Sequence, residues 1–193
     1  KKIENSITEK TKAIMPIDYG GQSAEILEIN ELAEKHGLSV IEDAAPALGG
    51  IHRNKKVGSV STMTGFSFGP DKNLNTGEGG LITTNNNELA KRIELIRNHG
   101  EVVVDKYPVK SISGIIGYNY RMTEIEAAIA LEQFKKLKKL NNHRIRLAKY
   151  LTKKLKKFGD LFKLPATGCD YCFNKCKSKH VYFVYIFSIK CLM

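Results

Sequence analysis

No stretch of the sequence is apolar for anything near the eighteen residues that a membrane span requires. The opening Lys1-Lys2-Ile3-Glu4-Asn5 also lacks the apolar core of a signal peptide. A membrane-spanning or secreted protein is therefore not expected, and the expected setting is the cytoplasm. Cysteine is absent before position 169, which excludes a thiol framework from most of the chain. The four that follow, Cys169, Cys172, Cys176 and Cys191, stand near His180. A zinc or cluster site is one reading of them, but the second Cys-x-x-Cys pair that would make it strong is missing. Free thiols in a loop are the preferred reading, and no metal is expected. Acidic residues are absent from Gln133 to Gly159, where eleven Lys and Arg stand, so this one segment accounts for the whole net charge of +11. No aromatic platform and no arginine-rich base-reading stretch accompanies the charge. A solvated helical face is thus favoured over a nucleic-acid or membrane surface. There is no internal repeat and no low-complexity tract.

What is present is a soluble, core-forming composition, 42% hydrophobic and 26% charged over 193 residues. Ala13–Ile17 reads as a short buried strand. Ser23 is placed to cap a helix running to about His36, and Gly37 to stop it. Leu38–Ile41 reads as a second strand ended by Glu42-Asp43, so this region forms a βαβ unit, which implies a parallel sheet. His52–Lys56 looks like an exposed hairpin turn. Asn85–Asn87 opens a helix to about Arg97 that Gly100 ends, and residues 101–116 are irregular. Thr123-Glu124-Ile125-Glu126 has the form of a capping box. It opens one long amphipathic helix or two, with Phe134, Leu137, Leu140, Ala148, Leu151, Leu155 and Phe158 recurring every three or four positions. After a linker with Pro165 and Gly168, His180–Ile189 reads as a strand beginning another unit. The divisions expected are 1–122, 123–160 and 161–193.

The chemistry concentrates in Gly65–Gly80, where a short apolar strand enters a turn carrying Lys72 and a glycine-rich turn leads back into Leu81–Thr83. A lone lysine in a turn is ordinarily a solvated surface residue. Its surroundings suggest more. Asp43 ends a parallel strand, where open α/β sheets hold their ligands, although helix capping is the competing role there. Ser67 stands five residues before Lys72. An amine to hold the cofactor, a carboxylate for a pyridinium nitrogen and a hydroxyl for a phosphate are what pyridoxal phosphate requires. In that reading Lys72 binds the cofactor and then moves protons, Asp43 keeps the ring nitrogen protonated, and Ser67 donates to the phosphate.

Several motifs carry the reading further. They are Thr11–Ile17, Val40-Ile41-Glu42-Asp43-Ala44-Ala45, Val57-Gly58-Ser59, Phe66-Ser67-Phe68-x-x-x-Lys72-Asn73, Gly77-Glu78-Gly79-Gly80, Arg97-Asn98-His99-Gly100 and Gly117-Tyr118-Asn119-Tyr120-Arg121-Met122-Thr123. In this order they resemble the DegT/DnrJ/EryC1/StrS family of sugar aminotransferases, the last motif being most like the perosamine-synthase type. The resemblance covers about residues 5–160, with His180-Val181-Tyr182 a weaker continuation. It implies an α/β fold: the central part of a fold type I pyridoxal-phosphate aminotransferase, with a mostly parallel sheet flanked by helices. The long basic helix then connects the large domain to the start of a smaller C-terminal α/β domain. It also implies a homodimer that moves an amino group, usually from glutamate, to a nucleotide-linked keto-deoxysugar. Lys72 matches the cofactor-holding lysine, Asp43 the pyridinium partner and Ser67 a phosphate ligand. Asn119 matches a residue reaching the neighbouring subunit's cofactor phosphate, with Arg121 a second candidate for that contact. The family's dehydratases resemble the chain less, because they replace the lysine. Pro46 stands where the family usually has a Gln or His near the phenolic oxygen, so that hydrogen bond is expected to be missing. Family members are longer, and a truncated, non-catalytic remnant serving only as an interaction module is the alternative expectation.

Overall fold

A computed structural model describes residues 2–101, 115–164, 181 and 188–189. The candidate thiols Cys169, Cys172, Cys176 and Cys191, His180 and most of the expected strand 180–189 lie outside the described residues, as does most of the irregular stretch 101–116. The elements run β1 (Ala13–Ile14), α1 (Ile26–Lys35), β2 (Ser39–Asp43), β3 (Ile51–His52), β4 (Lys55–Lys56), β5 (Met63–Ser67), β6 (Gly80–Thr83), α2 (Asn87–Arg97), α3 (Glu124–Lys156), β7 (Phe162–Lys163) and β8 (Ser188–Ile189). One sheet has the order β1-β2-β5-β6. Its first three strands are parallel, and β6 returns antiparallel to β5. The mostly parallel α/β architecture expected from the βαβ unit is the one observed.

Burial explains where the strand limits differ from expectation. β2 continues through Glu42 and Asp43 because Glu42 is fully buried among hydroxyl and amide donors. β1 is shorter than the Ala13–Ile17 expected, yet the chain stays beside β2. Asp43 N–H donates to the Pro16 carbonyl at 2.9 Å, and Ile17 bridges Asp43 in parallel. Ser23 does not cap α1: its hydroxyl donates to the Ala24 carbonyl, and the Ala24 N–H is taken instead by Asp18 Oδ1 at 2.9 Å. Gly37 does end that helix, with φ +64°. The hairpin turn 52–56 is only partly exposed. Arg53 and Asn54 take the left-handed conformations of a two-residue turn, while His52 is buried. Burial holds its imidazole below the ordinary range against the opposing pull of Glu25.

Two apolar clusters lie along the face of the sheet that carries Val40 and Phe66. Ile26, Ile29 and Ala33 of α1 pack with Val40. Ala44, Ala47, Leu48, Phe66, Phe68 and Leu74 pack with Leu137 of α3. Burying side chains of this size contributes about 1.5–3 kcal/mol each, enough to hold α3 against the turn that follows β5. α3 is a single helix of 33 residues. Thr123 Oγ1 accepts the Glu126 N–H at 3.2 Å, and Glu126 Oε2 accepts the Thr123 N–H at 2.9 Å, so the capping box is formed. Replacing Thr123 with Ala removes one of these reciprocal bonds. The loss expected is about 1 kcal/mol of unfolding free energy in urea titration. Lys135, Lys138, Lys139 and Arg146 stand exposed on α3. Among the described residues no helix is long and apolar enough to cross a membrane.

Candidate functional site

The register of β2 against β5 decides what meets at the carboxyl end of the sheet. Glu42 pairs with Thr64 and Asp43 with Gly65. Side chains alternate between faces along a strand, so Glu42, Thr64 and Phe66 share one face. Asp43, Gly65 and Ser67 share the other. The Phe66 face is the one covered by α3. On the opposite face, Asp43 and Ser67 lie diagonally across the two strands, roughly 8 Å apart given ~4.8 Å strand spacing and ~3.3 Å rise per residue. Between them is Gly65, and a Cβ added there would meet nothing within 4 Å. A carboxylate and a hydroxyl thus flank an open patch of backbone wide enough for a flat ring, so the donor set and the space both fit pyridoxal phosphate. Gly65 lies inside the stretch singled out in the sequence, and the strand register places it opposite Asp43 and in line with Ser67.

Local bonds orient both polar groups. Asp43 Oδ1 accepts the Ala45 N–H at 3.1 Å. Ser67 Oγ accepts the Gly69 N–H at 3.3 Å, which leaves its own proton to donate elsewhere. Pro46 is buried in the Ala44–Ala47 turn, closed by Ala47 N–H on the Ala44 carbonyl, and its ring adds no donor to the site.

Lys72 follows in the turn beyond Ser67. Its N–H donates to the Gly69 carbonyl at 3.1 Å, and its Nζ lies 3.4 Å from Asp71 Oδ2. The lysine side chain is only 20% exposed, so it is not the fully solvated lysine of an ordinary surface turn. The next two residues anchor the turn. Leu74 is buried in the core, and Asn73 Nδ2 donates to Asn141 Oδ1 at 3.0 Å. Asn141 in turn donates to the Leu48 carbonyl at 3.0 Å. One buried asparagine on α3 therefore ties the lysine turn to the segment after Asp43. Nothing in the sequence marked Asn141, which is flanked by basic residues and has no motif around it. Between this turn and α3 lies a cleft of about 420 Å³ lined by Lys72, Thr76, Gln133 and Arg144 among others.

Asn119 and Arg121 sit elsewhere, in a segment laid along the end of α2. Asn119 forms an antiparallel bridge with Asn98. The N–H groups of His99, Tyr118 and Tyr120 donate to the carbonyls of Tyr118, Ile96 and Arg97. Arg121 Nη1 donates to Asn98 Oδ1 at 2.9 Å. Tyr118 and Tyr120 stack on each other and are exposed, rather than packed in a core. The motifs Arg97–Gly100 and Gly117–Thr123, far apart in the chain, are thus two halves of one contact. The segment also abuts the glycine-rich turn, since a Cβ on Gly79 would fall 2.5 Å from Met122 Cε. Asp43 and Ser67 share one face of the sheet end, Lys72 follows in the turn that lines the cleft against α3, and Asn119 with Arg121 forms a separate group at the end of α2.

Two further clusters were not legible beforehand. Glu25, Glu28 and His52 gather closely enough for a cation, but Arg53 already bridges both carboxylates. Asp18 and Glu42 are both fully buried behind Asp43. Burial, together with the nearby Glu42 and Asp43 charges, pushes Asp18 up to about 7 against the Ala24 N–H that opposes it.

Comparison with known proteins follows the same outline. A model of the DegT/DnrJ/EryC1/StrS aminotransferase family matches residues 1–190. GDP-perosamine synthase of Caulobacter vibrioides is 39% identical over 184 residues, covering 95% of this chain and 47% of that protein. The structure of Helicobacter pylori PseC, an aminotransferase involved in the biosynthesis of pseudoaminic acid, superposes with a TM-score of 0.81 at 34% identity. That match covers 97% of this chain and 48% of PseC. GDP-4-keto-6-deoxy-D-mannose-3-dehydratase of E. coli, with bound hydrated PLP, superposes with a TM-score of 0.80 at 26% identity over 98% of this chain and 50% of the enzyme. The chain spans about half the length of the proteins it matches.

Proposed function

The chain belongs to the DegT/DnrJ/EryC1/StrS aminotransferase family, and from that membership we propose that it carries the central part of a pyridoxal-phosphate-dependent sugar aminotransferase. The amino group passes from an amino acid, glutamate by family resemblance, to a nucleotide-linked keto-deoxysugar, in a cytoplasmic homodimer. Residues 1–122 contribute to the large cofactor domain, 123–160 connect, and 161–193 begin the small domain. The observation that carries this reading is the register placing Asp43, Gly65 and Ser67 on one face of the sheet, with the Lys72 turn directly beyond.

When bound, pyridoxal phosphate supplies a carbonyl that takes up and returns an amino group and a ring that accepts electrons. Lys72 holds it through Nζ and, once released, moves a proton with the same atom. Asp43 keeps a proton on the ring nitrogen by its negative charge. The Ser67 hydroxyl donates to the phosphate. Arg121 spends Nη1 on Asn98 and has four further N–H donors for a phosphate held by a second subunit, with Asn119 alongside.

Titrating the chain with pyridoxal phosphate and following its absorbance tests the assignment. Ser67→Ala is expected to weaken binding about tenfold, the equivalent of roughly 1.4 kcal/mol, and Asp43→Ala to weaken it further. Equal affinity in wild type and both variants would remove the sheet end from consideration.

A further inference from the structure

The buried carboxyls behind Asp43 have no part in the chemistry above, and their bonds define an unusual state. Glu42 Oε2 takes three donors: the Gly58 N–H at 3.2 Å, Ser61 Oγ at 3.1 Å and Thr64 Oγ1 at 2.8 Å. Asp18 Oδ1 takes the Ala24 N–H. The remaining oxygens, Glu42 Oε1 and Asp18 Oδ2, are buried and meet no donor. Two carboxylates without a proton between them repel, and leaving both oxygens orphaned in a dry interior is costly. Burial and the neighbouring Glu42 charge favour a proton on Asp18, and a proton there would give the two orphaned oxygens a donor. The groups that bear on this pair are Asp43, next to Glu42 on β2, and His52 on β3, whose imidazole burial holds below its ordinary range.

The backbone connects this pair to the site. Asp18 N–H donates to the Asp43 carbonyl at 2.9 Å, and Asp43 N–H donates to the Pro16 carbonyl at 2.9 Å. The Asp18 side chain thus anchors the start of α1, Glu42 anchors the 58–64 segment and β5, and the end of β2 is held between them. We infer that Asp18 and Glu42 share a single proton and act as positioning residues, keeping the strand end that carries Asp43 in place only while that proton is retained. This rests on the reading of Asp43 as a cofactor ligand for its functional meaning, but not for its structural content.

Asp18 in the unfolded chain titrates near 3.8, and in the folded chain near 7. Between those values the folded chain binds a proton that the unfolded chain does not, so stability falls as pH rises across the window and levels off above it. Asp18→Asn keeps the shape, accepts from Ala24 through its oxygen and donates to Glu42 through its amide, with nothing to titrate. The expected result is a melting temperature that declines from pH 5 to pH 8 in wild type more steeply than in Asp18→Asn. Hydrogen exchange read at Asp18 and Asp43, corrected for intrinsic rate, should lose protection above pH 7 in wild type and keep it in the variant. Equal pH slopes and equal protection in both proteins overturn the proposal. Should Asp18→Asn not fold, infrared difference spectra of the wild type between pH 5 and pH 8 decide it. A carbonyl stretch of a protonated carboxyl lost near pH 7 supports the shared proton, and its absence overturns it. A chain that shows the pH-dependent protection yet binds no pyridoxal phosphate at any pH would retain the pair and reject the cofactor reading.

Discussion

Lys72→Ala should abolish the selective, borohydride-trappable attachment of pyridoxal phosphate to this chain. The protein has 31 Lys and Arg, and any exposed lysine reacts slowly with an aldehyde, so the quantity to read is selectivity and not labelling as such. Lys72 is 20% exposed, whereas Lys135 on α3 is 70% exposed. On access alone, Lys135 should therefore be labelled first. If Lys72 is the cofactor lysine, the order reverses, because Asp43 and Ser67 hold ring and phosphate beside it and raise the effective concentration of the carbonyl at Nζ. Peptide mapping after reduction is expected to show Lys72 half-labelled at a pyridoxal phosphate concentration at least about tenfold below that for the α3 lysines, a difference of roughly 1.4 kcal/mol. In Lys72→Ala only the slow, unselective labelling remains. Labelling that simply follows exposure would sink the assignment, whatever the family relationship.

That Asp43 and Ser67 end strands and Lys72 stands in the turn that follows could be read from the sequence for a physical reason. Each closes a strand or its following turn, and the order of strand, turn and strand is a local pattern. The parallel sheet then places successive strand ends side by side without further information. What was not legible are the groups that fix those residues in place, because they act over long separations. Asn141 bonds Asn73 and Leu48 across 68 and 93 positions, and its basic neighbours read only as a solvated helix. Asp18 replaces Ser23 at the start of α1: its buried carboxyl takes the Ala24 N–H while the Ser23 hydroxyl turns to the Ala24 carbonyl, and no propensity rule ranks those two. The same limitation applies to Gly117, whose necessity depends on what lies against it.

Gly117→Ala tests that contact and is expected to be among the most disruptive single-methyl additions available. A Cβ at this position would overlap Gly100 N and the His99 carbonyl carbon. Both atoms are backbone, so no side-chain rotation relieves the overlap. Nor can the opposing strand shift freely. His99 and Gly100 both hold positive φ angles, +59° and +77°, and the Gly100 N–H is fastened to the Leu95 carbonyl at 2.7 Å as the end of α2. The 117–121 segment must therefore lift away. Lifting breaks three backbone hydrogen bonds, those of His99, Tyr118 and Tyr120, at about 1 kcal/mol each. It also breaks the charge-assisted bond from Arg121 to the buried Asn98, which adds about 1.5–3 kcal/mol. The loss expected in urea titration is therefore on the order of 5 kcal/mol. Hydrogen exchange gives the sharper reading: the amides of His99, Tyr118 and Tyr120 should lose protection while those of β2 and β5 keep theirs, because the sheet makes none of these bonds. A variant of unchanged stability with protected Tyr118 and Tyr120 amides would mean that the two motifs do not meet as described, and the positions of Asn119 and Arg121 would fall with them.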